Sequence, residues 1–299
     1  MLPHRRTASG HTVTVNGTLK NSFFQCTLAA MLLANCATHA SLKTVYYDLP
    51  LPSQLRLERG AIVIVLVSDL HSDIYGKDQS PLLSRVYEAS PDIIVLAGDI
   101  FDDRASRLGT RLLLAGIKKD LPETPVFYVT GNHEYDGGDV DGILRELAGF
   151  GVTVLRDDYS AIEVRGVPVV IAGVDDPNKA LADPLYNTAF ADGPLRKAAA
   201  IDGYRILVCH RPEVAKRYAD YGFDLLLSGH THGGQVRLPP LVNGLYAPGQ
   251  GLFPRYSGGL YRVGDASLVV SRGLTTRRPP FPRILNPPEL VVITITSRQ

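Results

Sequence analysis

Short motifs containing aspartate, asparagine and histidine recur along this chain, and most of them directly follow an apolar run. In chain order they are Asp69-Leu-His71, Gly98-Asp99-Ile-Phe-Asp102, Gly131-Asn-His-Glu134, His210 and Ser228-Gly-His-Thr-His-Gly-Gly-Gln-Val236. The chain has 8 histidines; three lie before residue 40 and the others all belong to these motifs. Histidines placed only for packing would be scattered. The fold must therefore gather the ends of several strands at one place.

From about residue 57 onward, strand-like and helix-like segments alternate. The run 61–68 is almost continuously apolar and rich in β-branched residues, which is typical of a strand buried on both faces. Similar patterns predict strands at 93–97, 126–130, 152–155, 162–164, 167–173, 205–209, 225–227, 268–271 and 290–295, and helices at 81–90, 105–121 and 213–221. This alternation favours an α/β fold with a two-sheet αββα sandwich, forming a single catalytic domain over 57–299. Residues 41–56 are predicted to connect it to the N-terminus, and 238–259 to form a long ordered loop near the site mouth.

The first forty residues differ in composition from the rest of the chain. No acidic residue precedes Asp48, basic residues occur at Arg5, Arg6 and Lys20, and an apolar segment covers 23–37. A basic region, a short apolar core and small residues near position 40 are typical of a secretory signal, and the apolar core is too short for a transmembrane helix. We therefore predict a signal-like leader over 1–40 and export to the periplasm or envelope of a bacterium. The alternatives are a cytoplasmic or a peripheral membrane location.

Overall charge and cysteine content limit the classes of function. Lys and Arg number 31 against 30 Asp and Glu, so the net charge of +1 gives no support for nucleic-acid binding. Two cysteines lie in the leader, which leaves Cys209 as the single cysteine of the domain and excludes an internal disulfide there. The apolar neighbours at 206–208 indicate a buried structural thiol rather than a nucleophile or ligand.

The side chains in the motifs suit a pair of divalent cations. Mixed oxygen and nitrogen ligands fit manganese, iron or zinc, and a pair about 4 Å apart needs one shared anionic ligand. Asp99 is the natural shared ligand because it ends a buried strand and follows a glycine, which lets the backbone approach closely. Asp69 and His71 are separated by one residue, so they would project to the same side if the strand continued. His230 and His232 have the same spacing.

Taken in order, the motifs resemble those of the calcineurin-like metallophosphoesterase superfamily, over essentially all of the chain after residue 57. The resemblance implies one metal held by Asp69, His71, Asp99 and His232, and a second held by Asp99, Asn132, His210 and His230. It also implies that His133 lies beside the scissile group and that Asp102 orients it. A metal-bridging hydroxide would attack phosphorus in line while His133 stabilises or protonates the departing oxygen. Taken singly, Asp99 and Asn132 could cap helices and His133 could be packed in the core, but the joint pattern favours metal binding.

The segments 232–239, 270–274 and 282–289 are similar to one bacterial branch of that superfamily. The branch holds exported or membrane-associated phosphodiesterases, some of which are UDP-diacylglucosamine pyrophosphatases. The resemblance therefore implies a phosphodiester or pyrophosphate substrate, with a lipid-linked nucleotide sugar as one candidate, and it favours manganese as the metal. Asp103 stands where the phosphoprotein phosphatases have arginine, which weighs against phosphoprotein substrates.

Substrate binding is the least constrained part of the sequence. Guanidinium groups suit a diphosphate, and four arginines form a basic C-terminal cluster: Arg272, Arg277, Arg278 and Arg283. A solvated surface explains any one of them equally well. Two other functions stay open. One is hydrolysis of a soluble phosphomonoester or nucleotide, and the other is a non-catalytic scaffold, although scaffolds generally lose ligands and every expected ligand position is filled here.

Overall fold

Two sheets of six strands form the middle of the structure, which is a computed structural model describing residues 41–276 and 282–297. The predicted leader at 1–40 lies outside the described residues. The strands in this part of the chain are β1 (Lys43–Pro50), β2 (Ile62–Val67), β3 (Ile93–Ala97), β4 (Val126–Val129), β5 (Thr153–Val154), β6 (Asp158–Val164), β7 (Val167–Val174), β8 (Tyr204–Cys209), β9 (Leu225–Ser228), β10 (Tyr246–Ala247), β11 (Gly251–Leu252), β12 (Gly259–Val263), β13 (Ala266–Val270) and β14 (Glu289–Thr296).

Helices connect the strands and cover the outer faces of the two sheets. They are α1 (Ser80–Ala89), α2 (Leu108–Asp120), α3 (Asn132–Asp136), α4 (Val140–Phe150), α5 (Lys179–Ala182), α6 (Asp192–Ala199) and α7 (Ala215–Tyr218). Short 3-10 turns occur at Lys77–Gln79, Thr188–Ala191, Pro212–Val214, Ala219–Tyr221 and His232–Gly234. Within the described residues, no helix is long and apolar enough to cross a membrane.

The first sheet has the order β1-β14-β2-β3-β4-β5, and the second has the order β12-β13-β9-β8-β7-β6. Strands β2 to β5 pair in parallel, while β14 runs antiparallel to β2. In the second sheet β7, β8, β9 and β13 pair in parallel, and the antiparallel partners β6 and β12 lie at the edges. The parallel strands therefore present their carboxyl ends along one edge of each sheet.

Three apolar layers hold these elements together. Successive residues of a strand point to opposite faces, so Ile64 and Leu66 of β2 pack between the sheets while Val65 and Val67 pack under the helices. The layer outside the first sheet contains α1, α2 and α4, and the layer outside the second contains α6 and α7. Because the central strands are buried on both faces, their sequences are continuously apolar. The predicted αββα sandwich is confirmed.

Several boundaries differ from the sequence predictions, three of them in the following ways. Residues 43–50, predicted as part of a connecting segment, form the edge strand β1 of the first sheet, which pairs in parallel with β14. The helix predicted at 213–221 is divided into α7 and two flanking 3-10 turns. The helix predicted at 105–121 begins only at Leu108.

Candidate metal centre

The motif residues meet where the carboxyl ends of the parallel strands lie. Asp69 and His71 follow β2, Asp99 follows β3, and Asn132 opens α3 just after β4. From the second sheet, His210 follows β8, and the segment containing His230 and His232 follows β9. Ligands collect at this edge in many α/β folds because the loops that leave parallel strands converge there.

Two groups of buried side chains have a geometry that could hold a cation each. Asp69, His71 and His232 form the first group, and Asp99, His210 and His230 form the second; within each group one ligand atom per residue lies within 4.8 Å of the others. Asp99 links the groups, because its Oδ2 lies 3.1 Å from His210 Nε2 and 3.7 Å from His71 Nε2. These two groups contain six of the seven predicted ligands, all except Asn132.

Several donor atoms in this cluster fit a metal better than they fit a hydrogen bond. His210 Nδ1 lies 2.8 Å from the Ala97 carbonyl, which leaves Nε2 directed at Asp99. Such a backbone contact is the usual way in which a metal-binding imidazole is oriented. Among the described residues, His230 Nε2 and Asn132 Oδ1 are buried without a hydrogen-bond partner. Buried polar atoms normally have a partner, so these two atoms are consistent with metal ligation.

The electrostatics of the cluster also match a cation site. Burial alone would lower the pKa of His210, but the carboxylates of Asp99 and Asp69 raise it to about 10. Burial raises the pKa of Asp69 to about 6, and burial together with the neighbouring charge of His210 holds the pKa of His230 well below its usual range. The buried carboxylates thus favour positive charge at this position, which suits a bound cation.

Glu134 fixes the loops that carry two of the ligand motifs. Its Oε1 accepts hydrogen bonds from the backbone N–H groups of Ile100 and Phe101 at 2.8 and 3.1 Å. Its Oε2 accepts from Asp99 N at 3.0 Å and Gly131 N at 2.8 Å. The side chain is completely buried and ties the β3 loop to the start of α3. It therefore positions Asp99 without itself reaching the metal groups.

His133 lies beside the first metal group, but its carboxylate partner is not the predicted one. His133 Nδ1 lies 2.9 Å from Asp103 Oδ1, whereas Asp102 Oδ2 lies 3.6 Å from Nδ1 of His71. The sequence assigned the orienting role to Asp102, and the structure gives this contact to Asp103 instead. The two aspartates are adjacent in an irregular loop, so their relative directions cannot be read from spacing. The ring centroids of His133 and His71 are 4.8 Å apart.

The backbone explains why the ligand pairs converge, and the reason differs from the predicted one. The strand does not continue through Asp69 and His71; β2 ends at Val67, and both residues have left-handed φ angles of 51° and 48°. His230 and His232 likewise have φ angles of 69° and 47°. The ligand pairs therefore face one site because the chain turns at each ligand.

Two of the four arginines predicted to bind substrate, Arg272 and Arg283, lie among the described residues, and both make contacts within the protein. Arg272 is paired with Glu289 at 2.8 Å and also donates to the Gly258 carbonyl. Arg283 is buried and donates to the carbonyls of Thr275, Arg272 and Gly273. Both guanidinium groups thus make contacts within the protein, to the Glu289 carboxylate and to backbone carbonyls, and their substrate-binding role stays a prediction. Arg277 and Arg278 lie outside the described residues.

Two further features lie next to the second metal group. Cys209 is buried as predicted, and burial raises the pKa of its thiol to about 12. Arg211 follows the predicted ligand His210 and donates to both carboxylate oxygens of Asp176, at 2.6 and 2.8 Å. No role was predicted for Arg211 from the sequence. Arg211 also donates to Asn178 Oδ1 at 3.0 Å. Its position directly after a predicted ligand was the one available signal.

Comparison with known proteins gives consistent matches. A sequence model described as calcineurin-like phosphoesterase matches residues 62–234, a range that contains all seven predicted metal ligands. The chain is 32% identical over 240 residues to uncharacterized metallophosphoesterase YkuE of Bacillus subtilis (strain 168), covering 78% of this chain and 79% of that protein. It is 33% identical over 250 residues to an uncharacterized metallophosphoesterase of Aquifex aeolicus (strain VF5), covering 81% and 88%. It is 26% identical over 281 residues to a transmembrane protein with metallophosphoesterase domain from Danio rerio, covering 88% and 60%.

Proposed function

Since the chain belongs to the calcineurin-like phosphoesterase family and is a metal-dependent phosphoester hydrolase, we propose that it cleaves phosphodiester or pyrophosphate bonds with two divalent cations. The superfamily predicted from the motifs is confirmed by these matches. The observation that carries the proposal is the pair of ligand groups joined through Asp99. A protein-interaction scaffold would not need two complete ligand groups.

The residues present define what each part of the site contributes. Two divalent cations bound to these groups would withdraw negative charge from the phosphoryl oxygens and supply hydroxide at neutral pH. His133 is half-buried, and its Nδ1 contact with Asp103 leaves Nε2 as the ring atom for the departing oxygen. Asp103 fixes the orientation of that ring through this contact. Glu134 keeps Asp99 in place between the two groups through the backbone.

We propose manganese as the metal, with iron or zinc as alternatives. The ligand set combines two carboxylates, one amide oxygen and imidazoles, which suits these three metals better than magnesium or calcium. The predicted ligands thus include no thiolate, and they are not all oxygen atoms. Metal analysis of the purified protein decides among the three.

A lipid-linked nucleotide sugar at the cell envelope is the finer proposal for the substrate. It is supported by the signal-like composition of residues 1–40 and by exposed apolar side chains in the segment that follows the last ligand motif, at Leu238, Leu241, Leu252 and Phe253. The Danio rerio relative is named as a transmembrane protein, which is in line with action near a membrane. A soluble phosphomonoester or nucleotide is the second candidate, and it would need no apolar surface beside the metals.

The test is hydrolysis by metal-stripped protein to which manganese is returned. The substrates are bis-p-nitrophenyl phosphate, p-nitrophenyl phosphate and a UDP-linked acylated glucosamine. Asp99→Asn is the control, because asparagine tolerates the left-handed φ of 51° at this position while the bridging charge is lost. Turnover of the diester or the UDP-lipid that disappears in Asp99→Asn is expected.

The remaining outcomes separate the alternatives. A clear preference for p-nitrophenyl phosphate over the diester would favour the phosphomonoesterase. Equal activity in wild type and Asp99→Asn would contradict a mechanism that depends on the shared carboxylate. Turnover of the diester but not of the UDP-lipid would support diester hydrolysis and would contradict the proposed lipid-linked substrate.

A further inference from the structure

The loop between residues 238 and 253 exposes an unusual number of large apolar side chains. Among the described residues, fourteen large apolar side chains are exposed, and six of them fall in these sixteen positions. They are Leu238, Leu241, Leu245, Tyr246, Leu252 and Phe253. Single exposed leucines are ordinary on a protein surface, but a concentration of this kind marks an interaction surface. We call this segment the 238–253 loop.

The backbone of the 238–253 loop is internally paired, which places several of these side chains next to one another. Tyr246 and Leu252 are direct partners in the β10–β11 ladder. Phe253 N donates to the Leu245 carbonyl at 2.8 Å, which sets these two residues side by side. Side chains of directly paired residues lie about 4.5–5.5 Å apart at Cβ. At the start of the loop, Leu238 N donates to Val242 O at 2.8 Å and closes a tight turn.

The loop is attached to the backbone of the metal centre. Leu245 N donates to the Gly234 carbonyl at 2.9 Å, two residues after the ligand His232. Gly234 and Gly244 are so close that a Cβ added to Gly234 would lie 2.4 Å from Gly244 Cα. Thr231, between the two histidine ligands, donates through Oγ1 to the Ser257 carbonyl at 3.0 Å. The apolar surface is therefore held in a fixed position beside the site.

The 238–253 loop itself carries no acidic residue, and arginines flank it at Arg237 and Arg255. Arg237 is half-buried and donates through Nε to the Asn243 carbonyl at 3.1 Å. Arg255 is exposed directly after Phe253 and Pro254, with its guanidinium over the Tyr256 ring.

We propose that the 238–253 loop docks on an anionic lipid surface, with its apolar side chains entering the headgroup boundary and Arg255 contacting the phosphates. Exposed apolar side chains next to an exposed guanidinium are the combination that binds at such an interface. Docking at this loop brings the metal centre to the bilayer, and it does not depend on which phosphoester is hydrolysed.

Because the chain contains no tryptophan, a single introduced tryptophan reports on one position only. The reporter is Phe253→Trp in the full chain, and the matched control is Tyr46→Trp on the edge strand β1. The two positions are about equally exposed, at 66% and 64%. Both proteins are mixed with vesicles of phosphatidylcholine alone or of equal parts phosphatidylcholine and phosphatidylglycerol, with and without bromine on the acyl chains.

Bromolipid quenching of Phe253→Trp is expected to exceed that of Tyr46→Trp severalfold on the vesicles that contain phosphatidylglycerol. Adding Leu241→Ser or Arg255→Gln to the reporter should reduce the quenching, while Arg56→Gln, at the opposite end of the sandwich, should not. Raised salt should weaken the arginine contribution, since exposed charges are screened.

Three results would overturn the proposal. The first is absence of quenching at Phe253→Trp even though the protein co-sediments with the vesicles, because another part of the chain would then hold the membrane. The second is equal quenching at both reporters. The third is a spectral shift of Phe253→Trp that depends on protein concentration without vesicles, which would make a second copy of the chain the occupant of this surface.

Discussion

Glu134→Gln tests whether the buried carboxylate holds the metal-binding loops in place. The change keeps the size of the side chain and replaces one of its two oxygens by an NH₂ group. Each oxygen accepts two backbone hydrogen bonds, from Ile100 and Phe101 or from Asp99 and Gly131. Whichever way the amide turns, two buried N–H groups lose their acceptor and face a donor.

The expected loss of stability follows from these two bonds. Hydrogen bonds to a charged group contribute about 1.5–3 kcal/mol each. Burial and the negative charge of Asp99 raise the pKa of Glu134 to about 7, so the carboxyl is partly neutral near neutral pH and the lower end of the range applies. Two bonds at about 1.5 kcal/mol each predict a decrease of about 3 kcal/mol in the free energy of unfolding.

Urea unfolding of EDTA-treated protein measures this effect without a contribution from bound metal. The midpoint should fall while the slope with denaturant stays unchanged. Glu146→Gln is the matched control: Glu146 accepts two bonds from the exposed Arg111 at 2.8 and 2.9 Å, and its loss should change stability by less than about 1 kcal/mol. If Glu134→Gln is no more destabilising than this control and still binds two metals, the positioning role assigned to Glu134 is refuted.

Three further changes test other parts of the structure. Arg283→Gln should lower the free energy of unfolding by at least about 2 kcal/mol without raising KM, because the guanidinium binds three backbone carbonyls; a raised KM in a stable variant would support its role in substrate binding. In a Cys26→Ser/Cys36→Ser background, the Cys209 thiol should be inert to Ellman's reagent in the native protein and react after unfolding, because burial raises its pKa to about 12; rapid native reaction would contradict the burial. Asp103→Asn should lower kcat roughly 10- to 100-fold while two metals stay bound, because His133 loses its orienting carboxylate, and an unchanged kcat would rule out this role.

The parts of the fold that the sequence predicted well are the strands with two buried faces. Residues 93–97 were predicted at their observed bounds, because a strand covered on both sides is apolar at every position. The edge strand at 43–50 was missed, since it is half-exposed, carries Lys43 and Asp48, and ends at a proline. Strand β12, at 259–263, was missed because it begins at a glycine and alternates exposed with half-buried positions.

For the site, the motifs predicted which residues meet but not which atoms touch. Ligand identity depends on residue type and on the strand each motif follows, and both are readable from the sequence. The partner of His133 depends on how two adjacent aspartates leave an irregular loop, and no periodic pattern encodes that direction. The contacts of Arg283 were not predicted for a related reason: a buried arginine that binds carbonyls has the same sequence signature as one that binds phosphate.

The predicted metal ligands with left-handed φ angles are held in place by backbone contacts and not by a continuing strand. Asp99 has a positive φ of 51°, as do the pairs Asp69/His71 and His230/His232. The left-handed conformation costs a non-glycine residue roughly 1–2 kcal/mol. Backbone hydrogen bonds hold the turns: Asp69 N donates to Gly98 O at 3.1 Å, and His71 N donates to Asp99 O at 3.0 Å. Position 131 requires glycine, since a Cβ on Gly131 would lie 2.2 Å from Asp99 Oδ1. Because these contacts lie within the protein itself, the fold sets the direction of each ligand side chain.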